Sequence, residues 1–167
     1  KVILYNMILD KQIGVLLNLV HNRFKQHFTA LFQEKGYNIT PEQFLVMDAI
    51  WNDGTMSQQE LAHYIMKDKN SVVKLIDGLE KKNLVQRVAN KMDRRQNLIE
   101  VTPYANEMKD KLKEVAIKAI DHIISGISQE EMAVFIKVLS KMAENMNEET
   151  NLLAIAGQGE HPSEIEY

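Results

Sequence analysis

The chain has 167 residues, 45% of them apolar and 26% charged, with a formal net charge of −3. That is enough for one packed domain with an oligomerisation arm, and too apolar for wholesale disorder. It contains no cysteine, which excludes disulfides, a thiolate nucleophile and thiol-based metal or peroxide sensing, and fits a reducing cytoplasm.

The opening stretch, Val2 to Leu9, is apolar but short, interrupted by Asn6 and without a cleavage signature. It reads as a packing strap rather than a signal peptide, and the missing initiator Met suggests that the natural chain begins upstream. No uncharged apolar run approaches the roughly 20 residues that cross a bilayer, so no membrane partner is expected. A long first helix is predicted from about Asp10 to Glu34, with Ile13, Leu16, Leu17, Val20, Phe24, Phe28 and Leu31 on one stripe. Four helix starts share one chemistry, a side-chain oxygen followed by Pro or by a back-bonding Glu or Gln: Thr40-Pro41-Glu42-Gln43, Ser57-Gln58-Gln59-Glu60, Thr102-Pro103 and Ser128-Gln129-Glu130-Glu131. They open helices over Pro41 to about Asn52, Gln58 to about Ile65, Pro103 to about Ser125 and Gln129 to Met146. A further helix begins near Asp68, its Val72, Leu75, Ile76 and Leu79 forming an inward stripe.

One region breaks the helical period. Leu84 to Ala89 and Asn97 to Thr102 are short and rich in Val, Leu and Ile, and the polar loop between them carries Lys91, Arg94 and Arg95. This predicts a β-hairpin with a charged tip. The order of helix, short helix, turn, helix and hairpin is that of a winged helix-turn-helix. The fold class is therefore mainly α with a small β-hairpin wing, and dimerisation helices from both termini. The expected division is 1–36 as an N-terminal dimerisation helix, 37–102 as the winged region, 103–146 as C-terminal dimerisation helices and 147–167 as an acidic tail.

Charge points a modest positive face in the middle of the chain at something anionic. Between Thr55 and Thr102 nine Lys and Arg face six acids, a balance of +3, whereas the remainder carries eleven cations against seventeen acids, a balance of −6. With the apolar stripe of the Asp68 helix turned inward, Lys69, Asn70, Ser71, Val73, Lys74 and Asp77 are left outward. Asn pairs with adenine, Ser with bases or phosphate, Lys with guanine or phosphate, and an exposed Val touches a thymine methyl. Ser57 and Gln58, which open the preceding helix, and Lys91 join them as candidate DNA contacts. Arg94 and Arg95 on the thin loop suit a narrow minor groove, and Asp93 orients one of them through a hydrogen-bonded pair.

The run Ser71-Val72-Val73-Lys74-Leu75-Ile76-Asp77-Gly78-Leu79-Glu80-Lys81-Lys82-Asn83-Leu84-Val85, followed by Asp93-Arg94-Arg95 and then Val101-Thr102, resembles the MarR (multiple antibiotic resistance regulator) family. The resemblance extends over about Asp10 to Met146. It implies an obligate dimer on a pseudopalindromic operator of double-stranded DNA, and repression relieved by a small, often aromatic or phenolic, effector. Two positions depart from the family pattern. Asn83 stands where a glycine usually takes the left-handed cap, and Ala105 replaces a glycine in the next helix. Asn is the next best residue for the first, and Ala favours the helix at the second.

Dimerisation also follows without the family, because the first and the last two long helices are too apolar on one side for a small winged domain to cover. An enzyme is not expected: the chain has no glycine-rich phosphate loop and no hydrolase or metalloprotease motif. Its five histidines are scattered, and His21 and His27 do not share a helix face, so neither a metal nor a cofactor is expected. Phe24, Phe28, Met47, Trp51 and Met108 are of the type that lines an adaptable effector cavity, and equally of the type that fills a core. Two other readings remain open, a winged-helix module that binds protein and a DNA-binding regulator with no ligand.

Overall fold

Reciprocal caps close three of the expected helix starts. At Thr40, Ser57 and Ser128 the hydroxyl accepts the backbone N–H of the third helical residue, and the Gln43, Glu60 or Glu131 side chain accepts the cap's own N–H. Thr102 caps the fourth by accepting the Ala105 N–H at 3.1 Å. The computed structural model describes residues 2–92 and 96–146, with side chains from residue 12 onward. The elements are α1 (Val2–Glu34), α2 (Pro41–Asp53), β1 (Met56–Ser57), α3 (Gln58–Tyr64), α4 (Lys69–Lys81), β2 (Val85–Ala89), β3 (Asn97–Val101), α5 (Pro103–Ile124) and α6 (Gln129–Met146). They fall into two compact units divided after Ile123.

One expectation is corrected and one is extended. The segment read as a packing strap is helical, and α1 begins at Val2. Nothing between Val2 and Leu9 breaks a helix, since the stretch holds neither Gly nor Pro. The expected hairpin of β2 and β3 is present, but it is joined by a third strand. β1 pairs antiparallel with β3 through Met56–Ile99 and Ser57–Leu98, giving a sheet of order β1-β3-β2. A bare hairpin is marginal in water, and this third strand anchors it. Two residues are too few for an alternating pattern, so β1 left no trace in the sequence. On the other side β3 pairs with β2 from Val85–Val101 to Ala89–Asn97.

The core of the first unit gathers Phe28 and Phe32 of α1, Phe44, Val46, Met47 and Ile50 of α2, Leu61 of α3, Val72, Ile76 and Leu79 of α4, and Ile99 of β3. Ala105, Leu112, Val115 and Ala119 of α5 complete it. An aromatic row runs through it, with ring centroids 6.3 Å apart for Phe28 and Phe32, 5.5 Å for Phe32 and Phe44, and 6.4 Å for Phe44 and Trp51. Trp51 donates its indole N–H to Asn106 Oδ1 at 2.9 Å, and Lys113 pairs with Asp48 at 3.0 Å, so α5 is held along α2.

Helices α1, α3 and α4 end in the same paired backbone hydrogen bonds around one left-handed residue: Gly36, Met66 and Asn83, with φ of 82°, 53° and 55°. Asn83 fills the glycine's place as the sequence leads one to expect. Met66 is strained there, because a side chain in that region costs about 1–2 kcal/mol. In the second unit α6 runs from its Ser128 cap and exposes Val134, Phe135 and Val138.

Candidate nucleic-acid interface

Helix α4 is seated by the inward stripe the sequence shows. Val72, Ile76 and Leu79 are fully buried and Leu75 packs against them. Lys69, Asn70 and Lys74 are exposed, as expected of a groove-facing side. Ser71, Val73 and Asp77 are only half-buried rather than fully outward. For Val73 this weakens the thymine-methyl argument, since part of its side chain already has a protein neighbour.

The start of α4 is fixed by Asp68, whose carboxylate accepts the Ser71 N–H at 3.0 Å and the Ser71 hydroxyl at 2.5 Å. The hydroxyl and then the backbone N–H of Ser71 hold the Asp68 carboxyl below its usual value. Ser71 is thus a capping partner first, with its hydroxyl proton already committed. Ser57 is committed more fully: it is buried, and its hydroxyl caps α3. Its neighbour Gln58 is half-buried. Glu60, which completes that cap, has its carboxyl lowered first by the Ser57 N–H and then by the Ser57 hydroxyl.

The wing is bound to α4 through charge. Arg87 of β2 pairs with Asp77 at 2.7 Å and with Glu80, so one guanidinium offsets one of the two negative charges of α4 and holds both carboxylates at the adjacent strand. By sequence Arg87 is one of the nine cations of the middle segment. In the fold it instead turns to the two acids of α4 and halves their net negative charge. Among the described residues Lys67, Lys69, Lys74, Lys81 and Lys91 are exposed and form no ion pair. Lys91 stands beside the exposed Met92 at the loop, where Asn90 Oδ1 accepts the Met92 N–H at 2.9 Å. Asp93, Arg94 and Arg95 lie outside the described residues.

Thr102 joins the wing to α4 from behind. It is buried, donates its hydroxyl to the Asn83 carbonyl at 2.8 Å, and its N–H reaches the Leu84 carbonyl at 3.1 Å. One residue thereby closes α4, the hairpin and the first turn of α5. The sequence identified it as a helix cap, and only its partners across the fold reveal the second role.

The effector candidates separate into two groups. Phe28 and Met47 are core residues, 5% and 0% exposed, whereas Trp51 and Met108 are half-buried against the core and Phe24 is open to solvent. Phe24 and Phe28 lie 4.6 Å apart. Folding also joins two of the scattered histidines: His27 of α1 stacks on His122 of α5 with ring centroids 4.9 Å apart, and the buried Nε2 of His27 has no hydrogen-bond partner. Among the described residues no group of three or more His, Cys, Asp or Glu is placed to hold a metal ion, and no helix is long and apolar enough to cross a membrane.

Residues 39–96, the span from the start of α2 to the wing loop, match the MarR family profile. The chain is 29% identical over 130 residues to the HTH-type transcriptional regulator YsmB of Bacillus subtilis, itself uncharacterised, covering 72% of this chain and 87% of that protein. Among solved structures it shares its fold with a mutant of E. coli MarR complexed with operator DNA, at a TM-score of 0.72 and 21% identity, over 83% of this chain and 97% of that one. Bordetella bronchiseptica BpsR, whose DNA binding is regulated by 6-hydroxynicotinic acid, is similar at a TM-score of 0.72 and 22% identity, over 81% and 96%. The relatives are regulators rather than enzymes. With its helix-turn-helix, its three-stranded wing and this match, residues 39–96 form a MarR-family domain, and the chain is similar to DNA-binding transcriptional regulators.

Proposed function

We propose that the protein is a homodimeric, cytoplasmic repressor that reads a pseudopalindromic operator and releases it when a small aromatic or phenolic molecule binds. The observation that carries the DNA assignment is the exposed side of α4 that bears Lys69, Asn70 and Lys74, next to a wing whose Arg87 engages the helix's own two acids. α4 lies in the major groove, and Lys91, Arg94 and Arg95 follow the wing toward the adjacent minor groove. The same unpaired lysines argue against a module that binds protein, which has no use for phosphate-facing cations. Pairing is supported by the apolar faces left open on α1 and α6. A twofold pair sets two α4 helices about one DNA turn, roughly 34 Å, apart.

Release by a ligand is supported by BpsR and by the open edge of the aromatic row at Phe24. The burial of Phe28 and Met47 favours the ligand-independent alternative. Fluorescence anisotropy on the duplex upstream of the protein's own coding sequence tests the assignment. Affinity falls steeply with salt, and Lys74→Ala and Arg95→Ala each weaken binding and reduce the salt slope by about one. Wild-type affinity in both variants at every salt concentration would remove the groove assignment. Affinity unchanged across a panel of aromatic acids and phenols would identify a regulator without a ligand.

A further inference from the structure

Between α2 and the flank of α4 lies a polar arrangement that DNA contact leaves unused. Gln43, in the first turn of α2, is 6% exposed. Its Oε1 accepts the Thr40 N–H at 3.2 Å and the Lys82 ammonium at 2.8 Å. Lys82 donates as well to the Asn38 carbonyl, at 2.6 Å. The other end of the Gln43 carboxamide presses on α4 at Gly78, where a Cβ would come within 2.7 Å of Nε2. Because two donors hold the oxygen, the carboxamide cannot swing aside without breaking hydrogen bonds in a buried place. Burial also lowers the pKa of Lys82, as expected of an ammonium turned into the protein rather than toward a phosphate.

Gly78 and Lys82 are four residues apart and so lie on one side of α4 and its cap. Two fixed points on a rigid rod set both its rotation about its axis and its distance from α2. Lys69, Asn70 and Lys74 ride on that same rod.

We propose that Gln43 and Lys82 are positioning residues for DNA recognition: their latch over Gly78 sets the rotation and depth at which α4 presents Lys69, Asn70 and Lys74 to base edges. The inference rests on the reading of α4 as the groove-facing helix. It also accounts for a glycine in the middle of a helix, where Ala is otherwise preferred.

The test measures anisotropy of the full chain on two duplexes, the upstream fragment and a shuffled fragment of the same composition. Lys82→Met keeps the aliphatic stem and removes the ammonium. It weakens binding to the upstream duplex about tenfold, leaves binding to the shuffled one within about twofold, and leaves the salt slope unchanged. A slope lower by about one would make Lys82 a phosphate contact and overturn the inference. So would wild-type affinity for the upstream duplex at an unchanged melting temperature. A second arm does not depend on how Lys82→Met folds. Gly78→Ala weakens upstream binding about tenfold in the wild-type background and less than about threefold in a Gln43→Ala background, where the added methyl has room. Equal losses in the two backgrounds would overturn the latch. Wild-type protein that binds both duplexes equally would remove the operator reading and the latch together, whereas the other adverse outcomes leave DNA binding standing.

Discussion

Between Ile13 and Val20, helix α1 carries six large apolar side chains that are 39–65% exposed, yet farther along the same helix Phe28 and Phe32 are 5% and 0% exposed. The apolar stripe is continuous in sequence across both halves. One half has found its cover inside the chain, in Phe44 and the α2 face, and the other has none among the described residues. A hydrophobic period therefore states that a face needs covering, and tertiary structure states who covers it. For α1 the division falls near Phe24, where the aromatic row reaches solvent.

Substitutions on the two halves break this comparison in opposite ways. Phe32→Ala leaves a void in the core and costs about 3–5 kcal/mol, measured as a lower denaturant midpoint at an unchanged slope. The pair Leu16→Glu and Val20→Glu, one helical turn apart on the open half, leaves the helical CD spectrum of the chain in place but yields a monomer in sedimentation. Its operator affinity falls about a hundredfold, because the second recognition helix is no longer tethered. A sedimenting dimer with both glutamates present would show that the open half is not the pairing surface.

The smallest effect is a dependence on pH that belongs to the folded lobe and its caps. Glu42 is buried enough to raise its carboxyl, but its bond to Lys25, its own backbone N–H and the Thr40 hydroxyl more than offset this and leave it below the ordinary value of 4.5. Glu60 and Asp68 are lowered too, from 4.5 and 3.8. A carboxyl with a lowered folded-state pKa binds its proton more weakly when folded. Its contribution is therefore complete above the ordinary value and is lost as pH falls below it. Melting temperature is expected to stay flat from neutrality to about pH 5 and to decline below that. Glu60→Gln, which keeps an acceptor for the Ser57 N–H, flattens part of the decline. A decline already complete above pH 5 would show that these carboxyls are not responsible.

Much of this was legible before folding was considered. Thr40, Ser57, Thr102 and Ser128 mark helix starts because a capping oxygen acts over three residues, a distance that sequence measures directly. The inward stripe of α4 and the left-handed Asn83 are local for the same reason. Strand β1 was not legible, because its only partner is Ile99 and Leu98, some forty residues later. Arg87 entered the charge balance only as one cation of nine, because charge along a chain carries no sign of which neighbour will pair with it.

Sequence alone determined which segments are helices, where all but the first begin, which side of α4 is apolar, and that the middle of the chain is cationic. All of these depend on periods and caps that close within a few residues. Tertiary structure decided which cations remain free, that Thr102 ties the wing to α4, that Gln43 and Lys82 grip α4 at Gly78, and where along α1 the core stops. Those outcomes depend on groups distant in the chain that share a low-dielectric space, where an unpaired charge or amide is costly and its partner is fixed by geometry rather than by order.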